Sequence, residues 1–205
     1  MQDTETVFII DDDDEVRHAL RRLMVSIGLN VIVYASANEY LEQFNAQIPG
    51  CILLDIRMPG MSGLALQEHL QTFPLSPPVI IITGHGDVPM AVQAIQNGAI
   101  DFIQKPFNDQ LLLESIHKAI EIDATQRGRA LRKAVIQERV DLLTDRETQV
   151  MEQVVAGKRN KVIAFDLGIT QSTVEAHRAK VMEKMQAKTL SDLMRMLLSI
   201  DSPDT

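Results

Sequence analysis

The chain has 205 residues and a mass of 22.9 kDa, and its 45% hydrophobic and 23% charged residues are typical of soluble globular domains. It contains no run near the roughly 18 apolar residues of a membrane span and no basic-then-apolar leader pattern, so we expect a cytoplasmic protein. A single cysteine, Cys51, excludes an internal disulfide.

Charge is distributed unevenly along the chain. Residues 1–123 contain 6 basic and 17 acidic residues, a net charge of −11, whereas residues 124–205 contain 14 basic and 11 acidic residues, a net charge of +3. Within the second half, residues 157–188 hold 7 basic and 3 acidic residues. The two halves are therefore predicted to have different partners, and only the second half favours phosphate groups.

The first half alternates short apolar runs with helical patterns. Unbroken runs such as VFII and VIII are typical of strands buried on both faces of a parallel sheet. Between them, an apolar stripe over residues 16–27 stops at Gly28, and Ser36 followed by Glu39 is a capping-box pattern. Five strand-then-helix units predict a doubly wound α/β domain with a five-stranded parallel sheet. The predicted strands are residues 7–10, 31–34, 52–54, 79–82 and 101–104.

A charged, proline-free segment with helical propensity follows at residues 121–140. We interpret it as a solvated linker helix that continues the fifth helix, with phosphate contacts as the alternative for its cations, which are Arg127, Arg129, Arg132, Lys133 and Arg139.

A second domain is predicted to begin where Thr144 and Glu147 form another capping box. The remaining predicted elements are all helices, at residues 145–156, 161–167, 171–185 and 190–199. We therefore divide the chain into an α/β domain at 1–122, a long linker helix at 123–141 and an all-α four-helix domain at 142–205.

Polar residues follow the predicted strands of the first domain. These residues are Asp11 and Asp12, Asp55, Thr83 and Lys105, in the order of strands one, three, four and five. Because the carboxyl ends of parallel strands meet at one edge, we expect them to converge there. Converging carboxylates need a cation, and oxygen ligands suit Mg²⁺. The set predicts a phosphoryl-transfer site with Asp55 as the nucleophile, Lys105 balancing charge and Thr83 binding a phosphoryl oxygen.

Four segments, IIDDDDEVR, LLDIRMPGMSG, VIIITGHGD and DFIQKPF, resemble the signature segments of receiver domains in order and spacing. The resemblance covers residues 6 to about 122 and implies a flavodoxin-like receiver fold in which Asp55 is phosphorylated. Asp13 and Asp14 are open to two interpretations, as metal ligands or as acids in the first turn of a helix. The implied ligands of Mg²⁺ (or Mn²⁺) are Asp12, Asp11, Asp55 and the backbone carbonyl of Arg57.

The same resemblance implies that Thr83 and Phe102 form a switch pair and that Lys105 is joined to Pro106 by a cis bond. A simple core position is an equally good interpretation of Phe102. His85 stands two positions after Thr83 and is expected near the mouth of the site.

In the second domain, the segment NKVIAFDLGITQSTVEAHRAKVMEKM has the helix, glycine-containing turn and helix of a helix-turn-helix. Thr170 or Ser172 is expected to cap the second helix. Apolar contacts are expected from Val162, Ile163, Phe165 and Leu167 in the first helix and from Val174, Val181 and Met185 in the second.

The opposite face of the second helix is predicted to contact DNA. Glu175 is a hydrogen-bond acceptor for cytosine N4, and the small Ala176 and Ala179 permit close approach to base edges. Lys161 and Lys180 are predicted phosphate contacts. The complete predicted set is Lys161, Thr170, Ser172, Thr173, Glu175, Ala176, Ala179 and Lys180.

The stretch from LLTDRETQVMEQVVAGKRNKVIAFDLGIT to QAKTLSDLM resembles the LuxR/FixJ-type DNA-binding domain over about residues 142–200. With the receiver, the chain resembles the FixJ family of response regulators from end to end. Glu175 departs from the lysine of many NarL-like relatives, so their base preference does not transfer and binding should depend on dimerisation. A helical dimerisation or docking module is the alternative for this half.

The resemblance implies a two-component mechanism. A sensor histidine kinase would phosphorylate Asp55, the receivers would dimerise around residues 88–96 and 101–104, and the homodimer would bind double-stranded DNA and recruit RNA polymerase as an activator. A metal-dependent phosphatase or phosphotransferase is the enzymatic alternative. Because no general acid accompanies Asp55, we expect no enzyme beyond the receiver's own phosphorylation and dephosphorylation.

Overall fold

The computed structural model describes residues 5–84 and 87–201. The chain forms two compact units, of which the first ends at Arg127 and the second begins at Gly128. No helix in the described ranges is long and apolar enough to cross a membrane.

The first unit is built on a parallel sheet in the order β2-β1-β3-β4-β5, which confirms the predicted flavodoxin-like α/β class. Its strands are β1 (Thr6–Ile10), β2 (Asn30–Tyr34), β3 (Gly50–Leu54), β4 (Val79–Thr83) and β5 (Asp101–Gln104). Its helices are α1 (Asp14–Ser26), α2 (Ala37–Gln43), α3 (Gly63–Leu70), α4 (Val88–Gln96) and the first part of α5 (Asp109–Asp141).

The apolar runs of the strands are buried on both faces of the sheet. Neighbouring residues of a strand point to opposite faces, so Ile10 and Leu54 join one core while Ile9 and Leu53 join the other. All four are essentially inaccessible to solvent. This two-sided burial explains why the strands read as unbroken apolar runs rather than alternating ones.

Side-chain caps fix the starts of the helices. Asp13 is the N-cap of α1 and accepts hydrogen bonds from the backbone N–H groups of Glu15 and Val16, which places Asp13 and Asp14 with the helix acids. Ser36 caps α2 as predicted. The reciprocal half of that capping box is absent, because the Glu39 carboxylate accepts from the N–H of Ala35 instead of Ser36, at 2.7 Å.

The second unit is all helical, as predicted, and its core receives residues from every helix. Its helices are the last part of α5, α6 (Asp145–Val155), α7 (Asn160–Leu167), α8 (Gln171–Met185) and α9 (Leu190–Asp201). Thr144 forms the complete predicted capping box with Glu147. Gly168 ends α7 with φ at 65°, a left-handed conformation that favours glycine and produces the turn into α8.

The predicted inward face of α7 is only half right. Ile163 is buried and Leu167 packs beside it, whereas Val162 is exposed and Phe165 is 87% exposed. In α8, the predicted inward residues Val174, Val181 and Met185 are all buried.

Helix α5 spans 33 residues, so the predicted linker helix is continuous with the fifth helix. Its cations are not all solvated, which corrects the prediction. The Arg127 guanidinium bonds the buried Asp123 carboxylate at 2.6 Å and the carbonyls of Ala46 and Ile48 at 2.6 and 2.9 Å. Asp123 also accepts from the N–H of Gly50 at 2.9 Å. These bonds attach the helix to the chain segment that precedes β3.

Arg139 is the second cation that is not free in solvent, since it donates to the carbonyl of Met185 at 3.2 Å. Near it, Ile136 and Val140 pack into the core of the second unit. This part of α5 is therefore a structural element of the all-α unit.

Candidate functional site

An acidic site lies at the carboxyl edge of the sheet, where the sequence predicts it. Asp11 directly follows β1 and Asp55 directly follows β3, and both carboxylates are buried. Lys105, directly after β5, extends its ammonium group between them. The Lys105 Nζ lies 2.6 Å from Asp11 Oδ2 and 3.1 Å from Asp55 Oδ1. Three residues that are distant in sequence thus form one charged cluster.

The electrostatics of the cluster reflect the competition between burial and pairing. Burial raises the pKa of Asp11, although the hydrogen bonds from Lys105 and from the N–H of Asp13 oppose this shift. Burial by itself would lower the pKa of Lys105, but its hydrogen bonds and attraction to Asp11 and Asp55 outweigh it and raise that pKa. The lysine is therefore held in its charged form beside a carboxylate oxygen of Asp55.

Backbone contacts hold Asp55 in place. Its second oxygen, Oδ2, accepts from the N–H of Arg57 at 2.7 Å. The next helix begins close to the same strand end, because the N–H of Gly63 donates to the carbonyl of Ile56 at 2.9 Å. A Cβ atom at position 63 would overlap the backbone carbonyl of Asp55, so this approach requires glycine.

Two predicted ligand positions are exposed rather than buried. The Asp12 side chain is exposed and forms no hydrogen bond in the described part of the chain. Arg57 is likewise exposed, and its described contact is through N–H rather than through the predicted carbonyl. Across residues 5–84 and 87–201, no three His, Cys, Asp or Glu side chains are grouped closely enough to hold a metal ion. The protein side chains alone therefore supply a partial ligand set.

The remaining predicted residues of this site differ in their surroundings. Thr83 ends β4 and is buried, and its backbone carbonyl accepts from the N–H of Lys105 at 2.9 Å. Phe102 is half-buried and packs against one of the two cores. The Lys105–Pro106 bond is cis, as the resemblance implied. His85 falls outside the described residues.

Helix α8 carries most of the residues predicted to contact DNA. Thr170 caps the helix, accepts from the N–H of Thr173 at 3.2 Å and shares hydroxyl hydrogen bonds with Ser172 and Thr173. Thr173 is half-buried. The others are exposed, namely Lys161 on α7, Thr170 at the turn, and Ser172, Glu175, Ala176, Ala179 and Lys180 on α8. An exposed face with a capped N-terminus and small residues allows contact with a phosphate backbone and base edges.

The sequence did not predict a hydrogen-bond network that joins α7 to this face. Asn160, the first residue of α7, contacts both Glu175 and Arg178 of α8. The partners are 15 and 18 residues apart and lie on different helices, so the periodicity of a single helix does not reveal the contacts.

A second unpredicted contact stabilises the all-α unit. Glu147 is buried, and the Lys184 Nζ lies 2.6 Å from its carboxylate and 3.0 Å from the carbonyl of Leu142. The Lys184 hydrogen bond, helped by the N–H of Thr144, lowers the pKa of Glu147 to about 2. The capping box was visible in the sequence, but the lysine that completes it was not.

The chain matches two protein families, one over each half. Residues 7–117 match the response regulator receiver domain, and residues 141–197 match the bacterial regulatory proteins of the luxR family.

Similar proteins cover nearly the whole chain. It is 44% identical over 194 residues to the transcriptional regulatory protein FixJ of Rhizobium meliloti, covering 95% of each protein. It is 43% identical over 189 residues to the response regulator protein TodT of Pseudomonas putida, covering 92% of this chain and 83% of TodT. Among solved structures, that of the response regulator StyR has a TM-score of 0.85 at 39% identity and covers 95% of this chain and 98% of StyR.

Proposed function

Because this chain belongs to the response regulators that join a receiver domain to a LuxR-family DNA-binding domain, we propose that phosphorylation of Asp55 controls its binding to double-stranded DNA. The chain is a two-component response regulator and a regulator of transcription, not an enzyme of the ordinary kind. In this scheme the receiver is residues 1–122, the linker helix 123–141 and the DNA-binding domain 142–205. The observation that carries the proposal is the convergence of Asp55, Asp11 and Lys105 at one sheet edge.

The chemistry proposed for Asp55 is nucleophilic attack on a phosphohistidine. A carboxylate oxygen of Asp55 forms the new O–P bond while the P–N bond to the histidine of a sensor histidine kinase breaks. Lys105, with its ammonium group 3.1 Å from Asp55, balances the negative charge of the transferred group. Thr83, at the adjacent strand end, supplies a hydroxyl to a phosphoryl oxygen. The acyl phosphate later hydrolyses, and this is the only turnover that we assign.

The donor set fits Mg²⁺ (or Mn²⁺) in its chemistry. Mg²⁺ in proteins is held by one or two carboxylates and keeps several waters, and two buried carboxylates, Asp11 and Asp55, are present here. Asp12 and the backbone carbonyl of Arg57 would complete the protein ligands. When bound, the ion would supply positive charge to the phosphoryl oxygens.

We assign the switch to Thr83 and Phe102. A phosphoryl group changes the conformational equilibrium only if it binds one receiver state better than the other. Movement of Thr83 toward the phosphoryl group and inward rotation of Phe102 would supply that difference. Phe102 is half-buried at the edge of a core, a position from which a rotation alters both packing and surface.

The surface next to this pair supports a phosphorylation-dependent homodimer. Helix α4 exposes Val88, Val92 and Ile95, with 76%, 49% and 49% of each residue accessible. Three large apolar side chains on one short helix are typical of an interaction surface. Two DNA-binding domains brought together in this way would bind the half-sites of an inverted repeat through α8 and recruit RNA polymerase, as an activator in the cytoplasm.

The decisive experiment compares the wild type with Asp55→Asn before and after treatment with acetyl phosphate and Mg²⁺. We expect a dimer and tighter duplex-DNA binding only in the treated wild type, together with a phosphoryl mass increment. Asp109→Asn, an exposed first-turn acid of α5, is the matched control and should behave like the wild type. A treated Asp55→Asn protein that dimerises and binds DNA like the phosphorylated wild type would refute the proposal.

The enzymatic alternative is tested in the same preparation. Repeated release of phosphate from a small phosphoester, at many turnovers for each protein molecule, would favour a phosphatase. We expect at most one equivalent of phosphate to be released for each acyl phosphate that forms.

A further inference from the structure

Glu175 occupies an unusual position on the exposed face of α8, because it is a carboxylate where DNA phosphates would repel it. Its Oε1 atom accepts from two side-chain amides, Gln171 Nε2 at 3.3 Å and Asn160 Nδ2 at 3.4 Å. In the described ranges, 5–84 and 87–201, no hydrogen bond reaches its other oxygen, Oε2. One oxygen is therefore held while the other is available as an acceptor.

The orientation of the Asn160 amide follows from Arg178. The Arg178 Nη1 atom donates to Asn160 Oδ1 at 2.7 Å. A guanidinium group only donates hydrogen bonds, so the amide oxygen must face Arg178 and the NH₂ group must face Glu175. A flipped amide would place two donors together and two acceptors together. Arg178 thus fixes which end of Asn160 meets the carboxylate.

In this arrangement, a neutral amide takes the place of a direct ion pair. Glu175 and Arg178 are three positions apart on one helix, where opposite charges commonly pair directly. Here the amide of Asn160 stands between them. The two amide contacts leave the second carboxylate oxygen as an acceptor and limit the rotamers of a side chain that would otherwise be mobile.

A fixed acceptor on the face that meets the major groove selects among bases. It accepts from the exocyclic amino groups of cytosine and adenine and is repelled by the oxygens that guanine and thymine present there. We propose that Glu175 recognises such an amino group and that Asn160, oriented by Arg178, is the positioning residue for this specificity. The inference rests on the proposed binding of α8 to DNA.

The test determines base preference rather than affinity alone. Full-length protein treated with acetyl phosphate selects duplexes from a random library, and the preference at each position is compared for wild type, Glu175→Ala, Asn160→Ala and Asn160→Asp. Asn160→Asp keeps the size of the side chain and the bond to Arg178 but replaces the NH₂ donor by an oxygen. Gln149→Ala is the matched control, since Gln149 is an exposed amide bonded to Arg146 on α6.

We expect Glu175→Ala to reduce a cytosine or adenine preference at one position by at least about fivefold, the lower end of what one good base contact supplies. Both Asn160 variants should lose the same base preference at the same position. The double variant, Asn160→Ala with Glu175→Ala, should lose no more of this preference than either single variant does. The melting temperatures and the Gln149→Ala selection should match those of the wild type.

Two results would overturn the inference and leave the proposed function intact. One is a uniform loss of affinity in the Asn160 variants with base preference unchanged, which indicates a purely structural role. The other is an unchanged preference in Glu175→Ala while the wild type binds duplexes specifically. If the phosphorylated wild type selects no duplex at all, the proposed function fails and the inference fails with it.

Discussion

The buried charge pairs of the first unit and the exposed face of α8 in the second unit use charge in opposite ways. In the first unit, charges are buried and paired, with Lys105 between Asp11 and Asp55 and with Arg127 against Asp123. On the exposed face of the second unit, Glu175 is held by neutral amides and keeps its charge available to a partner. The difference teaches that buried pairs fix a geometry inside the protein, whereas neutral amides can orient an exposed carboxylate without forming an ion pair with it.

The largest effect should come from breaking a buried pair. Arg127→Ala leaves the Asp123 carboxylate buried without its cation and two carbonyls without a donor, and we expect a loss of about 3–5 kcal/mol in the free energy of unfolding. Urea denaturation measures it. Arg129→Ala, two positions along the same helix and exposed, should change stability by less than about 0.5 kcal/mol. Equal effects of the two substitutions would show that the Asp123 contact is not a buried ion pair in solution.

The pair between Glu147 and Lys184 should make the free energy of unfolding depend on pH. The pKa of Glu147 is about 2 in the folded protein against 4.5 for an ordinary glutamate, so its stabilisation is complete above pH 4.5 and is lost as the pH falls toward 2. Glu147→Gln removes the charged acceptor of the Lys184 hydrogen bond, so it should lower the free energy of unfolding by about 1.5–3 kcal/mol at pH 7 and by less at pH 3.

The measurement is the urea midpoint at the two pH values, with Glu152→Gln, an exposed glutamate of α6, as control. A difference between wild type and Glu147→Gln that stays constant between pH 7 and pH 3 would contradict the assigned pKa.

The exposed cations of the second unit should have smaller and less specific effects. Lys180→Ala is expected to weaken DNA binding to all sequences alike and to reduce the slope of log affinity against log salt by about 1. A salt titration of duplex binding measures this. Lys188→Ala, exposed but outside the predicted contact set, should leave the slope unchanged. A change of base preference in Lys180→Ala would mean that Lys180 reads bases rather than phosphates.

The smallest effect is expected at Phe165. Because this side chain is 87% exposed, Phe165→Ala should change the free energy of unfolding by no more than about 0.5 kcal/mol. Ile163→Ala, two positions earlier and fully buried, should cost about 2–5 kcal/mol. Thermal or urea unfolding of both variants makes the comparison. A similar cost at the two positions would restore the inward orientation that the sequence predicted for Phe165.

The sequence predicted what depends on neighbouring residues. Strands buried on both faces appear as unbroken apolar runs, and the cap at Thr144 is a local pattern that the structure confirms. The inward face of helix α7 was harder to predict. The helix has eight residues, and from the sequence Val162 and Phe165 look as suited to a core as Ile163 does. The apolar pattern predicts that a helix forms, but eight residues contain too few turns to determine which face points toward the core.

Contacts between distant positions were missed for a different reason. The bond between Gly50 and Asp123 joins residues 73 apart, and that between Glu147 and Lys184 joins residues 37 apart. No periodicity relates such positions, and arginines such as Arg127 look like solvated helix residues until the packing is known. The acidic cluster was predictable only because strand ends in a parallel sheet converge by topology.

The start of α3 has a consequence for how the sequence can vary among relatives. At position 63, any side chain would collide with the backbone carbonyl of the residue expected to carry the phosphoryl group. A side-chain rotation cannot relieve the collision, because the neighbouring atom belongs to the backbone and only a displacement of the strand end itself would make room. Natural variation at this codon should therefore be limited to synonymous changes, which keep glycine at position 63.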